Sequence, residues 1–132
     1  MYQHVNKLIF RYRGKDRLIH KKNKGYNKYV NDHHIIPKCL AKHKLVKSIN
    51  FDIHSNDNLF IMPKYVAIDK FNLHPNIMVH EGSHLKYNEF VKKNLDKIST
   101  YPNNEEKCYN LWLLISYLKR NLKFNEDNIP WN

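Results

Sequence analysis

A chain of 132 residues suits one domain, and its hydrophobic fraction of 42% is too high for wholesale disorder. Its 23 lysines and arginines exceed its 12 aspartates and glutamates, and the net charge of +11 favours a polyanionic partner because phosphate contacts release condensed counterions. The sequence shows no membrane-spanning run, no secretory signal and no zinc or disulfide spacing for its two cysteines, so we expect a cytoplasmic protein that contacts no membrane.

The first 30 residues form a basic N-terminal extension. Residues 1–13 are predicted to hold a strand, with strand formers such as Val5, Ile9 and Phe10 before Gly14. Residues 13–29 interleave lysines and arginines with tyrosines. That composition fits either an arm that contacts phosphates or a mobile surface segment, and the sequence leaves both open.

The next elements are short. The apolar pair before Pro37 indicates a strand end that leads into a loop, and residues 38–49 have helical spacing. Turn-forming residues 55–58 precede an apolar run at residues 59–62, which predicts a buried strand. Residues 64–79 are predicted to be irregular apart from one helical turn near residues 65–71, because Pro75 disfavours a long helix.

Two helices are predicted to follow. One begins at Ser83, keeps apolar residues on one face and stops before Pro102. The other covers about residues 104–123, with acidic residues in its first turn and basic residues in its last, as the helix dipole favours. Its expected buried stripe is widened by Trp112, and Ile129 and Trp131 are expected to dock the segment after it.

Two close pairs of histidines carry the chemistry. Residues four apart on a helix share a face, so His80 and His84 can bind one metal. Gly82 between them weakens the helix, so His80 could lie just before its first turn and still share the metal. His33 can add a third nitrogen while leaving an open position. The neighbouring His34 points the other way from an extended segment, where an imidazole that titrates near neutral pH suits a general base. The amide of Asn58 can hold the loop in place.

These segments resemble the signatures of the AHH family in the HNH/endonuclease VII superfamily, whose core is called ββα-metal or His-Me finger. His33-His34-Ile35-Ile36-Pro37 resembles the first signature, in which a base histidine precedes a hydrophobic residue and proline. Residues 58–63 resemble its Asn-x-x-hydrophobic-hydrophobic-Pro segment, and residues 80–91 its closing His-x-Gly-x-His-x-x-Tyr helix. The resemblance covers about residues 31–98.

The resemblance implies a small α+β single domain over residues 1–132, with a ββα-metal core at about residues 31–98 and additional helices. It implies an endonuclease that hydrolyses nucleic-acid phosphodiester bonds with one divalent metal ion, which could be Zn, Mg, Mn or Ni. His34 and Asn58 then correspond to the catalytic base and the orienting asparagine, and the metal ligands to His33, His80 and His84.

One departure from the family is Asp32, which stands where the family name implies alanine. A register slipped by one residue would make Asp32 a metal ligand and His33 the base. We favour His34 as the base because Ile-Ile-Pro follows it directly.

Nucleic acid is the expected partner, with DNA favoured over RNA. The cations expected to contact it are chosen because they lie near the motifs in the sequence, and they are Arg13, Lys38, Lys64 and Lys86. His54 and His74 are read as structural or incidental, and Tyr87 as core. If the domain is a toxin module, it would be exported and met by an immunity protein. The alternatives are a non-catalytic, metal-stabilised nucleic-acid-binding module, which would not need His34, and an unrelated basic nucleic-acid-binding domain without metal.

Overall fold

A computed structural model describes residues 25–132 and, before them, Ile19, Lys21 and Lys22. The strand predicted within residues 1–13, the candidate cation Arg13 and most of the basic extension lie outside the described residues. Among the described residues, two strands and four α-helices make an α+β fold, which confirms the predicted fold class.

The two strands pair antiparallel. β1 spans Val30–His34 and β2 spans Leu59–Pro63, and the register places His33 opposite Phe60 and His34 opposite Leu59. Every residue of β2 is buried, as its continuous apolar run predicts. β1 ends at His34, where the chain turns away toward Pro37, so the predicted strand end is confirmed.

The described helices are α1 (Lys44–Ser48), α2 (Tyr65–Lys70), α3 (Leu85–Ile98) and α4 (Asn104–Asn121). The helical turn predicted near residues 65–71 is confirmed by α2. Residues 38–49, whose spacing indicates a helix, are helical only in part, because they form a 3₁₀ turn at Lys38–Leu40 and then α1. The backbone of His43 is extended there because its Nδ1 accepts a hydrogen bond from Leu45 N, while its Nε2 lies 2.6 Å from Asp96 Oδ1 on α3.

The start of α3 also differs from the prediction. Ser83 does not cap the helix, which begins at Leu85, and Gly82 has a φ of 67° that a side chain would disfavour. His80 lies before α3, as the helix-weakening Gly82 allows, and His84 directly precedes the first helical residue. The two imidazoles therefore do not share a face of a regular helix.

The core lies mainly between α3 and α4, which pack against each other. The side chain of Asn103 caps α4 by accepting a hydrogen bond from Glu106 N at 2.9 Å. Leu111, Ile115 and Leu118 form the buried stripe as predicted, but Trp112 is 43% exposed and does not widen it. None of the described helices is long and apolar enough to cross a membrane.

Candidate metal centre and catalytic cleft

Three histidines converge beside the two-stranded sheet. His33 lies in β1 and is completely buried. The segment that carries His80 and His84 is tied to both strands, because His80 N donates to Pro63 O at 2.8 Å and Asn31 Nδ2 donates to His80 O at 2.7 Å. These two hydrogen bonds, one between backbone groups and one from the Asn31 side chain, bring the second histidine pair to the first.

The ring nitrogens of the three histidines have the spacing of a metal site. One nitrogen from each ring lies within 4.8 Å of the other two, and His80 Nε2 and His84 Nε2 are 3.2 Å apart. Tetrahedral bonds of about 2.0–2.1 Å to zinc place two ligand nitrogens about 3.3 Å apart. The observed separation therefore fits two imidazoles that share one ion.

Hydrogen bonds around the cluster orient two of the rings. His84 Nδ1 lies 3.2 Å from Asn88 Oδ1, which can accept the Nδ1 proton and leave Nε2 with its lone pair. The Tyr87 hydroxyl donates to Ile35 O, so it accepts from His33 Nε2 at 3.4 Å. His33 Nδ1 then holds the lone pair, and this buried nitrogen has no hydrogen-bond partner among the described residues, as expected for a metal ligand.

The electrostatics keep the imidazoles of His33 and His80 neutral. Burial, and then the neighbouring His80 and His84, lower the pKa of His33 well below its usual value. Burial, followed by His84, lowers the pKa of His80 to about 4. Neutral imidazoles at physiological pH are the form that binds a metal ion.

His34 lies on the other side of β1 from His33. It lines a cleft with a cavity volume of about 200 Å³, together with Asp32, Lys38, His80, His84 and Asn88. The cleft therefore places the proposed base beside two of the three clustered histidines. His34 Nε2 lies 3.3 Å from Nδ1 of the exposed His54, a neighbour that the sequence did not identify.

Asn58 is completely buried and bridges two loops. Its Oδ1 accepts from Ile36 N at 2.8 Å, and its Nδ2 donates to Ile36 O at 3.0 Å and to Ile53 O at 2.8 Å. Ile36 comes two residues after His34, and Ile53 directly precedes His54. The amide thus holds together the two segments that carry this histidine pair.

The family follows from comparison with known proteins. The model of the AHH family, described as a nuclease family of the HNH/ENDO VII superfamily with conserved AHH, matches residues 15–112. The chain belongs to the AHH family. It is therefore a nuclease of the HNH/ENDO VII superfamily, and nucleic acid is its class of substrate. No curated protein and no solved structure matches it.

Only some of the cations predicted to contact phosphate lie at the cleft of this AHH nuclease. Lys38 lines it, whereas Lys64 and Lys86 are absent from its lining. Lys64 follows β2, and Lys86 is exposed in the first turn of α3. Arg13 lies outside the described residues.

Several residues near the site were not assigned to it from the sequence. Tyr87 is core, as expected, and in addition contacts His33. Asn88 follows His84 by four residues, a spacing that could have indicated the contact. His54 and Trp131 carry no local signal, because their contacts with the site span long stretches of sequence.

Proposed function

We propose that this AHH nuclease is a metal-dependent endonuclease that hydrolyses phosphodiester bonds with His34 as general base. The observation that carries the proposal is that His34 lines the same cleft as His80 and His84, two members of the three-histidine cluster. The cluster supplies ligands without using His34, so the two roles need not compete for one side chain.

His33, His80 and His84 would hold one divalent ion. When bound, the ion supplies Lewis-acid polarisation of a phosphate oxygen and stabilises the charge on the leaving oxygen. Three imidazole nitrogens favour zinc, nickel or a similar transition ion over magnesium in binding strength. The open side of the cleft is where a phosphate would enter.

His34 would take a proton from the attacking water. A neutral imidazole has one donor and one acceptor nitrogen. If Nε2 donates its proton to His54 Nδ1, the basic nitrogen of His34 is Nδ1. The water oxygen would then form a bond to phosphorus while the bond from phosphorus to the leaving 3′ oxygen breaks. The leaving oxygen would take up a proton from solvent to become a hydroxyl, and His34 would release its extra proton to solvent. The water's second hydrogen stays on the new phosphate oxygen until it too is lost to solvent.

The other groups have supporting roles. Asn58 keeps the His34 and His54 segments together through its three hydrogen bonds and would not touch the substrate. Lys38, at the edge of the cleft, is placed to attract a phosphate. Tyr87 and Asn88 orient the His33 and His84 rings.

A cleavage assay tests the proposal. Plasmid DNA and RNA would be incubated with the purified protein after chelation, with and without added Zn²⁺, Ni²⁺, Mn²⁺ or Mg²⁺. We expect metal-dependent cleavage that His34→Ala reduces by about 10² to 10⁴. His34→Ala should still bind metal, whereas a double variant, His80→Ala with His84→Ala, should bind none.

Two outcomes would contradict this reading in different ways. Metal binding by the wild type without cleavage of either nucleic acid would support the non-catalytic binding module. Cleavage that continues at full rate in both variants would place the chemistry at another site.

A further inference from the structure

A tryptophan outside the family match lies against the histidine cluster. The match ends at residue 112, whereas the indole of Trp131 stacks on the His84 imidazole. The ring centroids are 4.7 Å apart and the planes differ by 24°. This is a face-to-face contact with one of the three candidate ligands.

The same indole reaches the rest of the cluster. Its ring centroid lies 5.3 Å from that of His33, 6.2 Å from that of His80 and 5.1 Å from that of Tyr87. Its Nε1 donates to the backbone oxygen of Val79 at 3.3 Å, directly before His80. One side chain therefore contacts all three imidazoles and the backbone that carries one of them.

The segment that presents Trp131 is held by specific bonds. Asn125 Nδ2 donates to Ile129 O and Ile129 N donates to Asn125 Oδ1, both at 2.7 Å. Asp127 N donates to Asn121 Oδ1 at 2.8 Å, which ties the segment to the end of α4. Ile129 is buried in the main core. These bonds define a fixed position for the residue two places after Ile129.

We propose that Trp131 is a positioning residue of the metal centre. This inference rests on the proposed metal site. The hydrogen bond from His84 Nδ1 to Asn88 fixes one point of the imidazole but leaves its plane free to tilt. Stacking against a broad, rigid indole restricts that tilt and covers the ring from water. Metal binding then needs less ordering of the ligand, so affinity is higher.

The chain offers an internal reporter for this contact, because it has two tryptophans. In Trp112→Phe the emission comes from Trp131 alone, and in Trp131→Phe it comes from the exposed Trp112 on α4, which packs against Phe51. Titration with Co²⁺, an open-shell ion that quenches nearby indoles, should strongly reduce emission of Trp112→Phe and leave Trp131→Phe almost unchanged. Excess Zn²⁺, which has a closed shell, should restore the emission by displacement.

Metal affinity gives a second readout. We expect Trp131→Leu, which removes the aromatic stack, to weaken Zn²⁺ binding in calorimetry by about 10-fold, in the range found when groups supporting a ligand are removed. Trp131→Phe keeps a ring over His84 and should recover part of the loss. Trp112→Leu is the matched control and should bind Zn²⁺ as the wild type does. Circular dichroism of each variant verifies the fold.

The outcomes separate this inference from the proposed function. Failure of the wild type to bind Zn²⁺ or Co²⁺ would overturn both. Wild-type binding, with unquenched emission from Trp112→Phe and unchanged affinity in Trp131→Leu, would overturn the role of Trp131 alone. If Trp131→Leu does not fold, the Zn²⁺ affinity of Trp131→Phe decides the question: we expect it to be weaker than that of the wild type, and an affinity equal to the wild type would overturn the role of Trp131.

Discussion

Replacing Asn58 with alanine tests whether one buried amide holds together the two segments that carry His34 and His54. The substitution removes three hydrogen bonds, two to Ile36 and one to Ile53. At about 1 kcal/mol of net stabilisation for each bond, the loss is about 3 kcal/mol. The backbone groups of Ile36 and Ile53 that lose their partner raise this loss, whereas water that enters the vacated space lowers it. We therefore expect the free energy of unfolding to fall by about 3–5 kcal/mol.

The free energy of unfolding would be measured by urea denaturation of the metal-free protein, with linear extrapolation. Asn110→Ala is the matched control, because Asn110 Nδ2 also donates one bond, to Glu106 O at 2.8 Å, but on the surface of α4. Its loss should stay below about 1 kcal/mol. If Asn58→Ala costs no more than Asn110→Ala, the amide does not hold the loops and our account of this residue is wrong.

Two further predictions concern histidines. His54→Ala should lower kcat about 5-fold with little change in KM, because it removes one hydrogen bond to His34 worth about 1 kcal/mol. His54→Asn should restore kcat, because its Oδ1 can replace Nδ1 as the acceptor. Equal kcat values for the wild type and both variants would exclude a role of His54 in orienting His34. The metal-free protein should also lose stability as the pH falls from about 6.5 toward about 4, because burial lowers the pKa of His33 and His80 and the unfolded chain then binds more protons. The melting temperature of the metal-free wild type should therefore fall between pH 6.5 and pH 4, and that of His80→Asn should fall less. A wild-type melting temperature that stays constant over this pH range would contradict the lowered pKa values of His33 and His80.

Local patterns predicted the elements whose formation depends on nearby residues. The apolar run at residues 59–62 forms the buried strand β2, and α4 has the expected acidic first turn and basic last turn. Both results follow from burial and the helix dipole, which act over a few residues. The resemblance at residues 31–98 likewise identified the histidines that the structure places together.

Long-range contacts decided the rest. His43 interrupts the helical spacing of residues 38–49 just before α1, because its side chain reaches Asp96, more than 50 residues later in the chain. His54 meets His34 through the bridge that Asn58 makes, and Trp131 meets His84 because bonds after α4 fix its position. Such pairings depend on the tertiary fold, so no periodicity in the sequence indicates them.

The alternation of β1 gives its neighbouring histidines different surroundings, and this bears on the register of the site. His33 faces inward with no exposed surface, so it cannot easily reach an attacking water, whereas His34 lines the cleft. Asp32 shares the cleft side with His34, has its Oδ2 3.5 Å from Lys21 Nζ, and is not part of the three-histidine cluster. These positions favour His33 as ligand and His34 as base over the register slipped by one residue.

Three variants separate the two registers. In the favoured register, His33→Ala should weaken metal affinity and cleavage together, while His34→Ala should lose cleavage and keep the metal. In the slipped register, Asp32→Asn would lose metal, His33→Ala would keep it, and His34→Ala would cleave at the wild-type rate. Metal titration and single-turnover cleavage of the three variants distinguish these patterns, because each register assigns metal binding and proton transfer to different members of this set.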